Sequence, residues 1–341
     1  MKFQLKFAAS AIAVLLFAGC ASKTETATTA APAANAMMTV SDKPFRVAFN
    51  QWIGFTGVML AREKGYFKDA GLNVDWKEFS GPADGMAPLI SGQLDAALTT
   101  VDTPILLSRD ANSNPLINVY AIDNSRGADG IVAQKGIATV ADLKGKTVAA
   151  TKGQINEFML LKALEKNGLK PSDVTITNMD ADAGGAAVLA GKVPAAVTWE
   201  PWLSKATASG GNIIFSSKEV PDLILDVATI GKSVADERPA DVKAFVATIA
   251  KGNAEALANP AEAAKIAKKY FGVDEKEATA MLGKVKLYSA AENATLMGSA
   301  DKPGVAAKTS QEIADFFVAQ KVMEQPPVKA DLFTPEFLPT P

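Results

Sequence analysis

The sequence predicts an α/β protein built as two similar lobes, each a mainly parallel sheet flanked by helices. Three observations lead there. From Phe45 onward, short apolar or β-branched runs alternate with amphipathic stretches of helical period, the pattern of helices packed on a parallel sheet. The pattern runs to about residue 122 and restarts at Val140. Ser91-Gly92-Gln93-Leu94-Asp95-Ala96-Ala97-Leu98-Thr99 and Ala190-Gly191-Lys192-Val193-Pro194-Ala195-Ala196-Val197-Thr198 share one grammar of helix end, glycine, strand and threonine, at the same place in each half.

In the first half, strands are expected over residues 45–49, 72–79, 94–98 and 116–122, and helices over 57–65, 82–92 and 103–110. Val58, Met59, Ala61 and Arg62 carry the helical spacing of the first helix. Gly92 and Gly191 suit the left-handed residue that closes a helix, and the paired alanines after them let a strand lie tightly under helices. The second half repeats the scheme, with a short helix over 140–146, strands over 147–150, 174–178 and 195–198, and helices over 156–167, 183–191 and 201–209. Beyond residue 231 the chain turns to alanine-rich amphipathic helices over 239–258, 260–271, 274–282 and 303–320. Prolines at or near their starts fit the first-turn preference, and the helices are expected to pack on the first lobe. Residues 130–134 and 225–230 are the expected crossings of a hinge, which makes one lobe of 44–131 plus 230–335 and the other of 132–229.

Ahead of the lobes, Lys2 and Lys6 precede an apolar stretch from Ala8 to Phe17 that is too short to span a bilayer. Leu15-Leu16-Phe17-Ala18-Gly19-Cys20 resembles the lipobox of bacterial lipoproteins, with Phe17 where leucine is more usual. Residues 1–19 are therefore read as a signal peptide and Cys20 as the lipidated first residue of the mature protein, outside the cytoplasm. Residues 20–43, rich in Ala and Thr without apolar periodicity, form a flexible tether.

Composition excludes several chemistries. The chain has no histidine, and Cys20 is its only cysteine. No Ser-His-Asp or Cys-His nucleophile, imidazole proton shuttle, ordinary zinc site or intrachain disulfide is available; no metal or cofactor is expected. Removing Lys2 and Lys6 with the leader takes the formal charge from −2 to about −4, which attracts neither nucleic acid nor an anionic membrane surface. A hydrolase working with carboxylates alone remains open.

Ligands of open α/β sheets bind beyond the carboxyl ends of the strands. The first-half loops there hold Asn50, Gln51, Trp52 and Gly54, then Ser80 and Gly81, then Thr100 and Asp102, then Asp123 and Ser125; in the second half they hold Gly153 and Gln154, then Trp199, Glu200 and Trp202. Three of the four tryptophans fall in these loops, where a flat apolar face can meet a ligand or simply pack. Asp102 can equally cap a helix, Asp123 can form a turn, and Glu200 can sit in a helix first turn. Gly153 and Gln154 at a helix start can offer N–H donors to an anion or carbonyl.

Ala61-Arg62-Glu63-Lys64-Gly65-Tyr66-Phe67 with Gly71-Leu72-Asn73-Val74, Ser91-Gly92-Gln93-Leu94-Asp95, Asp142-Leu143-Lys144-Gly145-Lys146-Thr147-Val148-Ala149 and Trp199-Glu200-Pro201-Trp202 resemble the solute-binding proteins of ABC importers. The branch they resemble serves alkanesulfonates, taurine, nitrate and thiamine-precursor pyrimidines. The resemblance implies a two-lobe clamshell of the periplasmic-binding-protein type (type II) that acts as a monomer, closes on a small solute and docks on a membrane permease driven by a cytoplasmic ATPase. It also implies binding without turnover. A sensing domain for a membrane signalling partner is the alternative.

The loops carry the acids Asp102, Asp123, Asp180, Asp182 and Glu200 against the bases Lys152 and Arg126. That balance favours a ligand bearing positive charge, with Glu200 accepting from its amino group and Trp52 and Trp199 stacking on it. A sulfonate or nitrate would instead use Thr56, Thr99, Thr100, Ser125 and Gln154 as donors, and zwitterionic taurine would satisfy both sets.

Overall fold

The computed structural model describes residues 39–107, 114–298, 301–324 and 332–339. The expected signal peptide, Cys20 and most of the tether lie outside the described residues, as do residues 108–110 of the third expected helix.

The chain opens with β1 (Phe45–Phe49), α1 (Thr56–Glu63), α2 (Tyr66–Asp69), β2 (Val74–Glu78), α3 (Met86–Ile90), β3 (Ala96–Thr100), α4 (Asp102–Leu107) and β4 (Leu116–Ser125). It continues with β5 (Asp129–Ala133), β6 (Thr147–Ala150), α5 (Ile155–Lys166), β7 (Thr175–Asn178), α6 (Ala181–Leu189), β8 (Ala195–Trp199), α7 (Trp202–Ala208) and β9 (Asn212–Ser216). The last part holds β10 (Leu225–Gly231), α8 (Lys232–Glu237), α9 (Pro239–Ala258), α10 (Pro260–Phe271), α11 (Glu275–Leu282), β11 (Val285–Leu287), α12 (Ala290–Met297) and α13 (Val305–Ala319).

Two sheets result, ordered β11-β4-β10-β3-β1-β2 and β7-β6-β8-β5-β9. Setting aside the edge strand β11, they have one design. The central strand of each parallel trio is β1 or β6, β3 and β8 hold the same place, and one antiparallel strand, β10 or β5, follows. Gly92 and Gly191, just ahead of β3 and β8, have φ of 74° and 72°, so both helix ends close in the left-handed region that glycine enters without strain. In β1, Phe45, Val47 and Phe49 point into one core while Ala48 joins another cluster on the opposite face, the period of two expected of a strand covered on both sides. Phe45 meets Phe245 of α9 with ring centroids 5.0 Å apart.

The structure moves the crossings. Residues 130–133 and 225–230 fall in β5 and β10, inside the sheets, where each strand has bonded neighbours on both sides, and Gln134 follows β5. The chain instead passes between sheets over 126–128 and returns over 217–224. The expected division at 131/132 and 229/230 therefore shifts: β5 belongs to the second sheet and β10 to the first. These arriving strands run against their neighbours, which is why neither sheet is wholly parallel. The two passes touch, because Ser217 Oγ bonds Ser125 Oγ at 2.8 Å and accepts the Gly127 N–H at 2.6 Å. Helix α13 does not keep to the first lobe either, since Phe316 stands 4.3 Å from Phe158 of α5 while the helix also packs on α4. Among the described residues no helix is long and apolar enough to cross a membrane.

Candidate functional site

Where the two sheets face each other, the strands run one to three residues further than the sequence pattern indicates. Thr99 and Thr100 end β3, Asp123 to Ser125 end β4, and Trp199 ends β8, because the antiparallel strands pair with them to their tips. Asp226 of β10 lies between Asp123 of β4 and Thr100 of β3 in register, and Asp129 of β5 lies opposite Trp199. Carboxylates from both sheets thus meet at one level.

A cavity of ≈ 20 Å³, room for about one water, opens between the lobes. Asn50, Trp52, Pro82, Thr100 and Asp226 line it from the first lobe, Asp129, Ile155 and Trp199 from the second, and Ile224 from the returning pass. Pro82 and Trp199 also border a wider cleft of ≈ 320 Å³, lined by Ser80, Gly81, Asp84, Thr151, Gln154, Asn156, Asp180 and Asp182. Among the described residues no three carboxylates are arranged to hold a metal ion.

Burial governs the charge of these groups. It pushes Asp102 up to about 6, against hydrogen bonds from the Ile155 N–H and Thr100. Asp123 is pushed up to about 7 by burial although Trp52 and Asp226 bond to it, and Asp129 up to about 7 by burial and the charge of Glu200. Asp226 is raised well above the usual carboxylate range by burial and by the charges of Asp123, Asp129 and Asp102. One oxygen each of Asp129 and Asp226 is buried without a hydrogen-bond partner.

Several residues named from the sequence have other partners. Trp52 Nε1 donates to both Asp123 oxygens at 3.1 and 3.2 Å, which leaves Asp123 behind the cavity wall. Gly54 faces that carboxyl so closely that a Cβ would lie 2.2 Å from three of its atoms. Asp102 reaches across the lobes to accept the Ile155 N–H at 2.8 Å, at the start of α5. The Gly153 N–H is taken by Glu157 at 2.7 Å and the Lys152 N–H by Asn178 at 2.9 Å, so with Ile155 three N–H groups at this helix start have partners within the chain. Glu200 is fully buried and ion-paired with Lys284, and it accepts from the Ser204 N–H and hydroxyl at 3.1 and 3.0 Å; it lines neither space. Trp199 and Trp202 both donate to Asp182 Oδ1, at 2.9 and 2.7 Å, but only Trp199 faces the cavity. Gln51 bonds Glu78 at 3.0 Å away from the cleft, and Ser125 belongs to the hinge.

Sequence reasoning missed Asp129 and Asp226. Each is a carboxylate inside an apolar strand, in Ala128-Asp129-Gly130-Ile131 and Leu225-Asp226-Val227, and that incongruity was the available signal.

Comparison with known proteins agrees with this architecture. A protein of Brucella abortus named "Putative binding protein" is 28% identical over 238 residues, 68% of this chain and 73% of that protein. The taurine-binding periplasmic protein of Escherichia coli is 29% identical over 199 residues, 57% of this chain and 61% of its own. The crystal structure of the periplasmic aliphatic sulphonate binding protein SsuA from Escherichia coli superposes with a TM-score of 0.67 at 23% identity, covering 86% of this chain and 96% of that one. The NMT1/THI5-like family matches residues 52–263, and the chain belongs to that family.

Proposed function

We propose that this chain is an extracytoplasmic solute-binding protein that captures a small nitrogen- or sulfur-containing organic solute between its lobes and hands it to an ABC permease. The observation that carries this reading is the cavity itself, walled by residues of both sheets and sharing Pro82 and Trp199 with a wider cleft. Closure is held by bonds that cross the gap, from Asp102 to the α5 start and from Glu200 to Lys284. A clamshell whose ligand completes such contacts closes on binding. Relatives and structural neighbours bearing the names of binding proteins support binding rather than turnover. The lobes divide at the two passes, 126–128 and 217–224.

The same reading places the body at the outer face of a membrane through a lipid on Cys20, as a monomer with no cofactor. Small-angle scattering of the full chain with and without candidate solutes tests capture, because closure shrinks the radius of gyration. Fluorescence of Trp52 and Trp199 should change in parallel. No compaction and no spectral change with any solute would refute capture. Replacing Cys20 by serine should release the protein from the membrane fraction; an unchanged distribution would refute the anchor.

A further inference from the structure

We propose that the cavity receives an organic nitrogen cation with forked N–H donors, an amidinium or guanidinium head, held by Asp129 from one lobe and Asp226 from the other. The inference rests on the capture reading above and names its ligand class. Asp129 and Asp226 are 3% and 5% exposed, line the same ≈ 20 Å³ space, and each keeps a buried oxygen with no partner. An unpaired buried carboxylate oxygen is costly unless something donates to it. Two such carboxylates at one cavity, supplied by different lobes, match a flat cation with two N–H groups.

The walls agree in sign. Asp129 and Asp226 in the cavity and Asp84, Asp180 and Asp182 in the adjoining cleft are unopposed by any lysine or arginine lining either space. Lys284 is paired with Glu200. An anionic head would also need donors, and two of the N–H groups at the α5 start, those of Gly153 and Ile155, are already bonded to Glu157 and Asp102. A metal ion fits poorly, since hard cations gather six or more oxygens and no cluster of three carboxylates is disposed to hold one among the described residues. The cavity has room for about one water, so the head enters as the lobes part at the hinge. The body of the ligand extends past Pro82 and Trp199 into the ≈ 320 Å³ cleft.

Calorimetry and thermal unfolding of the full chain, with methylguanidinium and benzamidinium against taurine and methanesulfonate, test the inference. The cations should bind and raise the melting temperature, and D129N and D226N should each weaken them at least tenfold. The unliganded D226N protein should melt at the same temperature as the parent or higher, because the neutral amide spares the cluster the cost of ionising a buried carboxyl; that separates lost binding from lost folding. Sulfonate binding with no response to cations would overturn the cation assignment and leave capture standing. Cation binding that survives both substitutions would overturn the two named residues as its receptors. Silence from all four probes would overturn the cation assignment, while capture itself is decided by the scattering test across all solutes.

Discussion

Lys284 is the residue whose removal should reveal most about how the lobes hold together. Its ammonium pairs with Glu200, a carboxylate with no exposed surface, while Lys284 itself is 26% exposed. Two unit charges about 4 Å apart at an effective dielectric of 20 attract by about 4 kcal/mol. Breaking such a pair from one side costs about 3–5 kcal/mol when burial is complete, because a carboxylate is left uncompensated. Partial exposure of Lys284 and the two bonds that Glu200 keeps from Ser204 reduce this, so Lys284→Met should cost about 2–3 kcal/mol. Glu200→Gln in the same chain removes the orphaned charge and should recover about 2 kcal/mol of that loss. Urea unfolding of the four proteins of this double-mutant cycle measures the coupling. An additive cycle, or a single substitution costing less than about 0.5 kcal/mol, would show a solvated surface pair and refute the cross-lobe strap.

Gly54→Ala places a methyl against the Asp123 carboxyl at 2.2 Å and must break the Trp52–Asp123 bonds; it should cost about 1–3 kcal/mol in denaturant unfolding and abolish solute binding by calorimetry. Ser217→Ala deprives the buried Gly127 N–H and the Ser125 hydroxyl of a partner, so about 1–3 kcal/mol should be lost in the same assay, with the hinge loosened in hydrogen exchange. For pH, Asp102, Asp123 and Asp129 carry folded values of about 6, 7 and 7 against 3.8 unfolded, and Asp226 lies well above it. Raised acids contribute stability that is full below pH 3.8 and lost as pH rises through 6 to 7. The unliganded melting temperature should therefore fall between pH 5 and 8, and a melting curve that rises over that interval would refute the buried cluster. Glu200 is the further acid facing Asp129, and its pair with Lys284 does not change that sign.

The fold was legible where local physics decides it. Left-handed glycines at residues 92 and 191 and the alanine strands after them announced a repeated unit, and β3 and β8 hold equivalent places in their sheets. The hinge was not legible, because Ile131-Val132-Ala133 and Val227-Ala228, expected as crossings, suit a sheet strand equally well. Periodicity fixes that a segment is extended and which face is apolar; it does not choose which sheet it joins. That choice rests on long-range pairing, here β5 beside β8 and β10 beside β4.

The site divides along the same line. Trp52 and Trp199 could be picked out because a large ring near a strand tip needs a reason, and both reach the cavity. Glu200 was singled out on the same grounds, yet its partner is Lys284, 84 residues on, and no local pattern links the two. Asp129 and Asp226 hid inside strands. A sequence that keeps carboxylates in apolar strands, buries them together and leaves two oxygens unbonded holds its unliganded lobes together against their own repulsion. A cation binding there removes a cost the protein already bears. Ligand affinity and apo instability then share one origin, and a substitution at Asp226 should move them in opposite directions.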